Sequence, residues 1–291
     1  MTDEYRKIVF IGGDMRMAYA AEKQAKDHDC ALSGFDMIGT GKMHGVGNAR
    51  TGDKYDAAVL PVFAGSSHEI RCPYSNRTYD INILTIHLRR GGIVFAGRVF
   101  PELEQLCADS GYQLCDYLER EELAVRNAEL TAEGAVAIAI NETGRALLGS
   151  HISVLGFGRI GKICARYFSA LGAAVTVCAR RKSDLAWAES LGYRTTDICS
   201  GAEFCGTLAG SDIIVNTAPA ELITGERAAA IKKGALLIEL ASVPCTKGET
   251  PARIISAGGL PGKTAPISAG EIIADTIENI LTERSMKNGG A

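Results

Sequence analysis

Three glycines in the run Val154-Leu-Gly156-Phe157-Gly158-Arg159-Ile160-Gly161 constrain this chain more than any other feature. Ile152 to Leu155 read as a buried strand, and Ile160, Cys164, Phe168 and Leu171 recur at helical spacing behind the glycines. A G-x-G-x-x-G pattern between strand and helix gives each glycine a separate job. The first permits a tight turn, the second lets backbone approach a pyrophosphate, and the third lets the helix pack closely on the strand. The helix start adds unpaired N–H groups and the positive end of its dipole, both suited to a phosphate. A lone glycine triplet is weak evidence. Strand, triplet, helix and a second apolar strand together predict a dinucleotide site, with contacts from Gly156, Phe157, Gly158, Arg159, Ile160 and Gly161.

The second strand bears on which dinucleotide. Ala174-Val-Thr-Val-Cys178 runs into Ala179-Arg180-Arg181-Lys182-Ser183. An NAD site places Asp or Glu at this strand's end, roughly 20 residues past the glycine turn, to hold the ribose 2′-hydroxyl. This strand ends without one. Three cations and a hydroxyl suit instead the charge and acceptor oxygens of a 2′-phosphate. NADP is therefore expected ahead of NAD, with Ala179, Arg180, Arg181 and Ser183 as contacts.

With 291 residues the chain is long enough for two domains of ordinary size. A formal charge of −3 argues against a general nucleic-acid binder. No run of 18 apolar residues and no charged-then-apolar leader occurs, so a cytosolic chain without a membrane span is expected. The nine cysteines contain no C-x-x-C pair, and the five histidines (His28, His44, His68, His87, His151) show no ligand spacing. No metal site is expected, and the cysteines read as free thiols, with Cys72, Cys199, Cys205 and Cys245 placed in loops.

The predicted fold is α/β, with two Rossmann-like parallel-sheet domains. Residues 1–120 form an N-terminal, substrate-side domain, 121–148 a linking helix, and 149–266 the nucleotide-binding domain. Residues 267–291 form a C-terminal helix and tail that return to the first domain. Strands are expected at Lys7–Ile11, Cys30–Ser33, Asp56–Leu60, Ile93–Phe95 and Tyr112–Cys115, with helices between them. Asp36–Gly52 and Gly65–Tyr79 read as irregular. In the second domain Asp212–Val215, Ala235–Glu239 and Arg253–Ser256 are further strands, counted as the fourth to sixth. Ligands of open α/β sheets bind beyond the carboxyl ends of the strands. Thr217, Ala218 and Pro219 after the fourth strand and Ser242 after the fifth are thus further cofactor contacts, although Pro, Asn and Ser fill ordinary turns as well.

The chain resembles the dipicolinate synthase A-subunit family over nearly its whole length. The resemblance is carried by Ile11-Gly-Gly-Asp14-x-Arg16, Leu60-Pro-Val62, Leu118-Glu-Arg120 through Asn127, and Thr131-x-Glu133-Gly134. It continues in Val154-Leu-Gly-Phe-Gly-Arg159, Gly259-Leu-Pro-Gly262, Ala265-Pro266 and Ala269-Gly270. It implies an overall dehydration and oxidation of a cyclic tetrahydrodipicolinate-type intermediate from the lysine pathway to a pyridine dicarboxylate. It also implies a flavoprotein-like partner, the family's B component, and the mother cell of a sporulating bacterium as setting. Self-association into a homo-oligomer is expected too.

A dicarboxylate substrate calls for cationic or amide donors. Arg16, Arg120, Asn127 and Lys263 are the candidates, while Asp14, Glu133 and His44 are proton acceptors that the residues alone do not separate. Two other readings compete. A two-domain hydroxyacid or amino-acid dehydrogenase would share the cofactor domain, but the hydroxyacid type pairs a late histidine with an acid, and no histidine follows His151. A nucleotide-binding scaffold would leave the chemistry to its partner.

Overall fold

Alternating strands and helices build two parallel sheets of six strands each, as the sequence pattern predicts. The computed structural model describes residues 7–38, 43–62, 65–66 and 68–288. They divide into one unit of Met1–Arg126 with Ala265–Ala291 and another of Asn127–Thr264.

The first unit opens with β1 (Lys7–Ile11), α1 (Met15–Gln24), β2 (Asp29–Ser33), β3 (Val46–Asn48) and β4 (Tyr55–Val59). It continues with β5 (Gly65–Ser66), β6 (Glu69–Ile70), β7 (Tyr79–Asp80), α2 (Ile83–His87), β8 (Leu88–Ala96), α3 (Pro101–Ser110) and β9 (Gln113–Asp116). The main sheet has the order β3-β2-β1-β4-β8-β9, and β5, β6 and β7 form a small antiparallel sheet. Two segments read as irregular therefore contain strands: β3 lies within Asp36–Gly52, while β5 and β6 lie within Gly65–Tyr79 and β7 begins at its last residue. Strands of two or three residues are too short to show an alternation, so their pairing is decided by neighbouring strands. Residues 39–42 and 67 in these segments, and 63 and 64 before the second, lie outside the described residues.

Alternate residues of each strand face opposite sides. Ile8, Phe10, Val59 and Phe95 pack on one side of the sheet, and Val9, Ile11, Ala58 and Val94 on the other. The long helix α4 (Glu121–Thr143) begins in this unit and stops short of the expected Leu148, because Gly144 turns into the left-handed region with φ +60°.

The second unit contains β10 (His151–Leu155), α5 (Arg159–Ala170), β11 (Ala174–Ala179), α6 (Lys182–Ser190), β12 (Arg194–Asp197) and α7 (Gly201–Gly210). There follow β13 (Ile213–Asn216), α8 (Glu226–Ala230), β14 (Leu236–Glu239), β15 (Arg253–Ser256) and α9 (Leu260–Thr264). The sheet order is β12-β11-β10-β13-β14-β15, all parallel. The edge strand β12, Arg194-Thr-Thr-Asp197, has no apolar run and is invisible to periodicity. The short α9 lies in the segment that joins β15 to the last helix.

The last helix, α10 (Pro266–Asn288), has proline at its first position, where the missing N–H is not needed. Ile273, Ile277, Ile280 and Leu281 join Met17, Ala20 and Ala21 of α1 in the core of the first unit. Gly270 makes the closest approach. A Cβ there would lie 2.5 Å from the Arg16 carbonyl oxygen and 2.7 Å from Tyr19 Cβ. Gly270→Val is expected to lower stability by about 3 kcal/mol through overpacking. Urea denaturation checks this, and an unchanged midpoint would contradict the packing described.

Candidate functional site

The glycine turn between β10 and α5 has the geometry its sequence predicts. Gly156 adopts φ +95° and its N–H donates to the Cys178 carbonyl at 2.8 Å, closing the end of β10 onto β11. A Cβ at Gly161 would lie only 2.2 Å from the Gly156 carbonyl oxygen, so the helix packs on the turn through a bare backbone. At Gly158 the reverse holds: a Cβ would meet no atom within 4 Å. That open face and a helix start with no side-chain cap leave the approach to the first turn of α5 clear. The cradle fits a dinucleotide pyrophosphate.

The residues between the glycines divide by environment. Phe157 is buried, edge-on to Tyr193 at 6.3 Å, with Lys162 5.7 Å above its ring. Its side chain belongs to the core, so only its backbone is available to a ligand. Ile160 packs against the same core, and Arg159 is exposed.

The basic segment at the end of β11 is exposed throughout. Arg180 makes no ion pair among the described residues. Arg181 Nε donates to Asp184 at 3.0 Å, and Lys182 Nζ to Asp197 at 2.6 Å. Ser183 lies in the first turn of α6. An acid does stand beside the strand end, on the neighbouring strand: Asp197 is in register with Ala179. Lys182 and the Cys199 N–H occupy its carboxylate and hold its pKa below the ordinary value.

The loops after β13 and β14 are joined by a buried network that the sequence reading missed. Asn216 and Glu239 close two otherwise apolar strands in register with each other, and both are buried. Asn216 Nδ2 donates to Glu239 Oε2 at 2.6 Å, and the Cys245 N–H donates to Glu239 Oε1 at 2.9 Å. Asn216 Oδ1 accepts from the Ala218 N–H at 3.0 Å, which fixes the orientation of the amide. One carboxylate thus sets the conformation of both loops. The signal was a lone polar residue ending each apolar strand.

Thr217 and Ala218 sit directly against the glycine turn. The Thr217 N–H and Oγ1 both donate to the Leu155 carbonyl, at 2.9 and 2.8 Å. A Cβ on Gly156 would meet Thr217 Oγ1 at 2.8 Å and Ala218 Cβ at 3.3 Å. Pro219 and Ser242 are exposed in their loops. The structure therefore brings Gly156, Gly161, Thr217 and Ala218 together at the carboxyl end of the sheet.

The substrate candidates fall in different surroundings. In the first unit, Arg16 is largely buried and grips Asp14, with Nε to Oδ1 at 2.9 Å and Nη2 to Oδ2 at 2.8 Å. Burial of Asp14 raises its pKa, but the Arg16 bonds outweigh this and hold the carboxyl below its usual value. Arg120 is tied to Glu122 and to both oxygens of Glu283, so it would reach another carboxylate only by releasing one of these acids. In the second unit, Asn127 is partly buried on α4 and Lys263 is exposed on α9, with no ion pair among the described residues. Glu133 and His44 are both exposed.

All nine cysteines are free. Of the four expected in loops, Cys205 lies instead in α7, whereas Cys245 is in the loop after β14 but buried, where desolvation and Glu239 raise its pKa. Burial also pushes Cys72 up to about 12, which disfavours a reactive thiolate.

Comparison with known proteins agrees with this architecture. Residues 7–118 match the model for the N-terminal domain of the dipicolinate synthase A-subunit. A curated relative, the dipicolinate synthase A-subunit of Bacillus subtilis (strain 168), is 30% identical over 97% of this chain and 98% of its own length. The chain belongs to the dipicolinate synthase A-subunit family. Crystal structures of that family's members from Bacillus subtilis and Bacillus halodurans superpose with TM-scores of 0.83 and 0.80, each at 29% identity. The first match covers 99% of both chains, the second 95% of this chain and 97% of the other. Residues 89–250 match the model for the D-isomer specific 2-hydroxyacid dehydrogenase NAD-binding domain. This member of the dipicolinate synthase A-subunit family is a dehydrogenase-type oxidoreductase component with a nicotinamide-cofactor domain. A transhydrogenase from Sinorhizobium meliloti shares the fold at 18% identity and TM-score 0.69, over 94% of this chain and 92% of the other. Among the described residues no helix is long and apolar enough to cross a membrane.

Proposed function

We propose that this chain is the NADP-dependent component that converts a cyclic hydroxytetrahydrodipicolinate, after loss of water, or a dihydrodipicolinate intermediate to dipicolinate by removing a hydride and a proton during sporulation, working with a flavoprotein-like second subunit. The observation that carries the reading is the open glycine cradle of a dipicolinate synthase family member, flanked by Arg180, Arg181 and Ser183 at the end of β11. Arg180 is free to meet a phosphate, and Lys182 neutralises Asp197 on the neighbouring strand.

Gly156, Gly158 and Gly161 would hold the pyrophosphate by backbone and helix dipole. Thr217, Ala218, Pro219 and Ser242 would border the ribose and nicotinamide, with Glu239 fixing the loops that carry them. The cofactor, when bound, accepts a hydride from a ring carbon of the substrate, and aromatisation makes the overall oxidation favourable. The protein's part is orientation and electrostatics. Arg16 is the proposed carboxylate donor of the first unit. Asn127 and Lys263 are the proposed donors of the second. Asp14, held ionised by its guanidinium partner, is a weak base and serves to orient Arg16.

The direct test is formation of the pyridine dicarboxylate by this chain together with its partner, followed by the product's ultraviolet absorbance. Faster product formation with NADP⁺ than with NAD⁺ is expected. No aromatic product with either cofactor would overturn the assignment of the reaction.

A further inference from the structure

The sheet of the first unit has its own topological switch point. The chain runs from β1 outwards through β2 to β3, then returns to β4 on the other side of β1. Such a reversal opens a crevice beyond the carboxyl ends of the two central strands, where open α/β sheets bind ligands. A cavity of about 60 Å³ lies there, lined by Gly13, Asp14, Arg16, Pro61, Val62 and Arg71 among others.

Its walls are held in place from two sides. The Gly13 N–H donates to the Arg71 carbonyl at 2.8 Å. A Cβ at Gly12 would lie 2.9 Å from that carbonyl oxygen and 2.6 Å from Cys72 Sγ. The paired glycines after β1 therefore let the segment bearing Arg71 cross close over the strand end. On the β4 side, the buried Tyr117 hydroxyl donates to the Leu60 carbonyl at 3.0 Å and fixes the approach to Pro61 and Val62.

The charges in the cavity are unbalanced. Arg16 commits Nε and Nη2 to Asp14, which leaves the Nη1 edge of the guanidinium for a second acceptor. Arg71 is exposed, and its positive charge also acts on Asp14. Two guanidinium groups thus face one carboxylate. The cavity is small, of a size for a carboxylate group.

We propose that this cavity takes one carboxylate of the ring dicarboxylate, with Arg71 and the remaining edge of Arg16 as donors and the ring left outside. The inference rests on the substrate class proposed above and adds Arg71 as a specificity-determining residue.

Calorimetric titration of the full chain with dipicolinate, followed by NADP⁺ in the same samples, tests it. Arg71→Met is expected to weaken dipicolinate binding by about tenfold or more and to leave NADP⁺ affinity and melting temperature unchanged. Arg71→Lys, which keeps the charge without the fork, should recover part of the loss. Arg77→Met, an exposed arginine outside the cavity lining, should behave as the unaltered chain. Equal dipicolinate binding by Arg71→Met and the unaltered chain would overturn the proposal, as would no dipicolinate binding by the unaltered chain. The NADP⁺ titration reports on the cofactor reading independently in either case.

Discussion

Gly158→Ala is expected to cost roughly ten- to a hundredfold in dinucleotide affinity while leaving the melting temperature unchanged. Gly161→Ala, the same one-carbon change three residues later, is expected to unsettle the fold itself. The difference follows from what the added carbon meets. At Gly158 the position is open and the backbone is extended, with φ −77° and ψ −163°, so alanine is accommodated in the free protein. The methyl group then occupies space that a pyrophosphate needs. At Gly161 the carbon would lie 2.2 Å from a backbone oxygen, and backbone does not swing aside as a flexible side chain does. A loss of about 3 kcal/mol, or roughly 10 °C in melting temperature, is expected there. Thermal melts and titrations on the two variants separate the cases. Equal melting temperatures for both would mean that α5 does not pack on the turn as described.

Glu239→Gln should produce the other large effect. Both carboxyl oxygens accept from N–H donors, those of Asn216 Nδ2 and the Cys245 backbone. Glutamine has nearly the same shape but offers one oxygen and one NH₂ group. One of the two buried donors must then face another donor. Leaving a buried polar group unpaired costs about 1–3 kcal/mol, so a fall of roughly 5 °C in melting temperature is expected. Dinucleotide affinity should fall as well, because the loops after β13 and β14 lose their common anchor. A variant that kept full stability and full affinity would show that the network does not hold the loops.

The parts legible in the sequence were those with local, contiguous signals. Ile152 to Leu155, Ala174 to Cys178 and Leu236 to Glu239 are apolar runs long enough to declare buried strands, and the glycine turn has a fixed spacing. The edge strand β12 was hidden because Arg194-Thr-Thr-Asp197 carries no apolar run: buried Thr196 shares a hydroxyl hydrogen bond with Thr207, and Thr195 donates to Glu189. The strands β5 to β7 were hidden because two residues cannot show a period. The site divides in the same way. Phosphate-side glycines and the Arg180–Arg181 pair are neighbours in sequence, whereas Asn216 and Glu239 meet only through the register of two strands 23 residues apart. Asp197 likewise reaches Ala179 and Lys182 only through the fold. The ion pair that commits Arg120 to Glu283 could be read from no local pattern, whereas Arg16 takes as its partner an acid only two residues away.

The central claim is that the glycine cradle and the cations after β11 bind a dinucleotide carrying a 2′-phosphate. Calorimetric titration of the purified chain with NADP⁺ and with NAD⁺, repeated on the Arg180→Ala, Arg181→Ala variant, addresses it most directly. A preference for NADP⁺ of about tenfold or more is expected in the unaltered chain, collapsing towards parity in the variant. Binding of neither nucleotide, or a preference for NADP⁺ that survives the loss of both arginines, would contradict it.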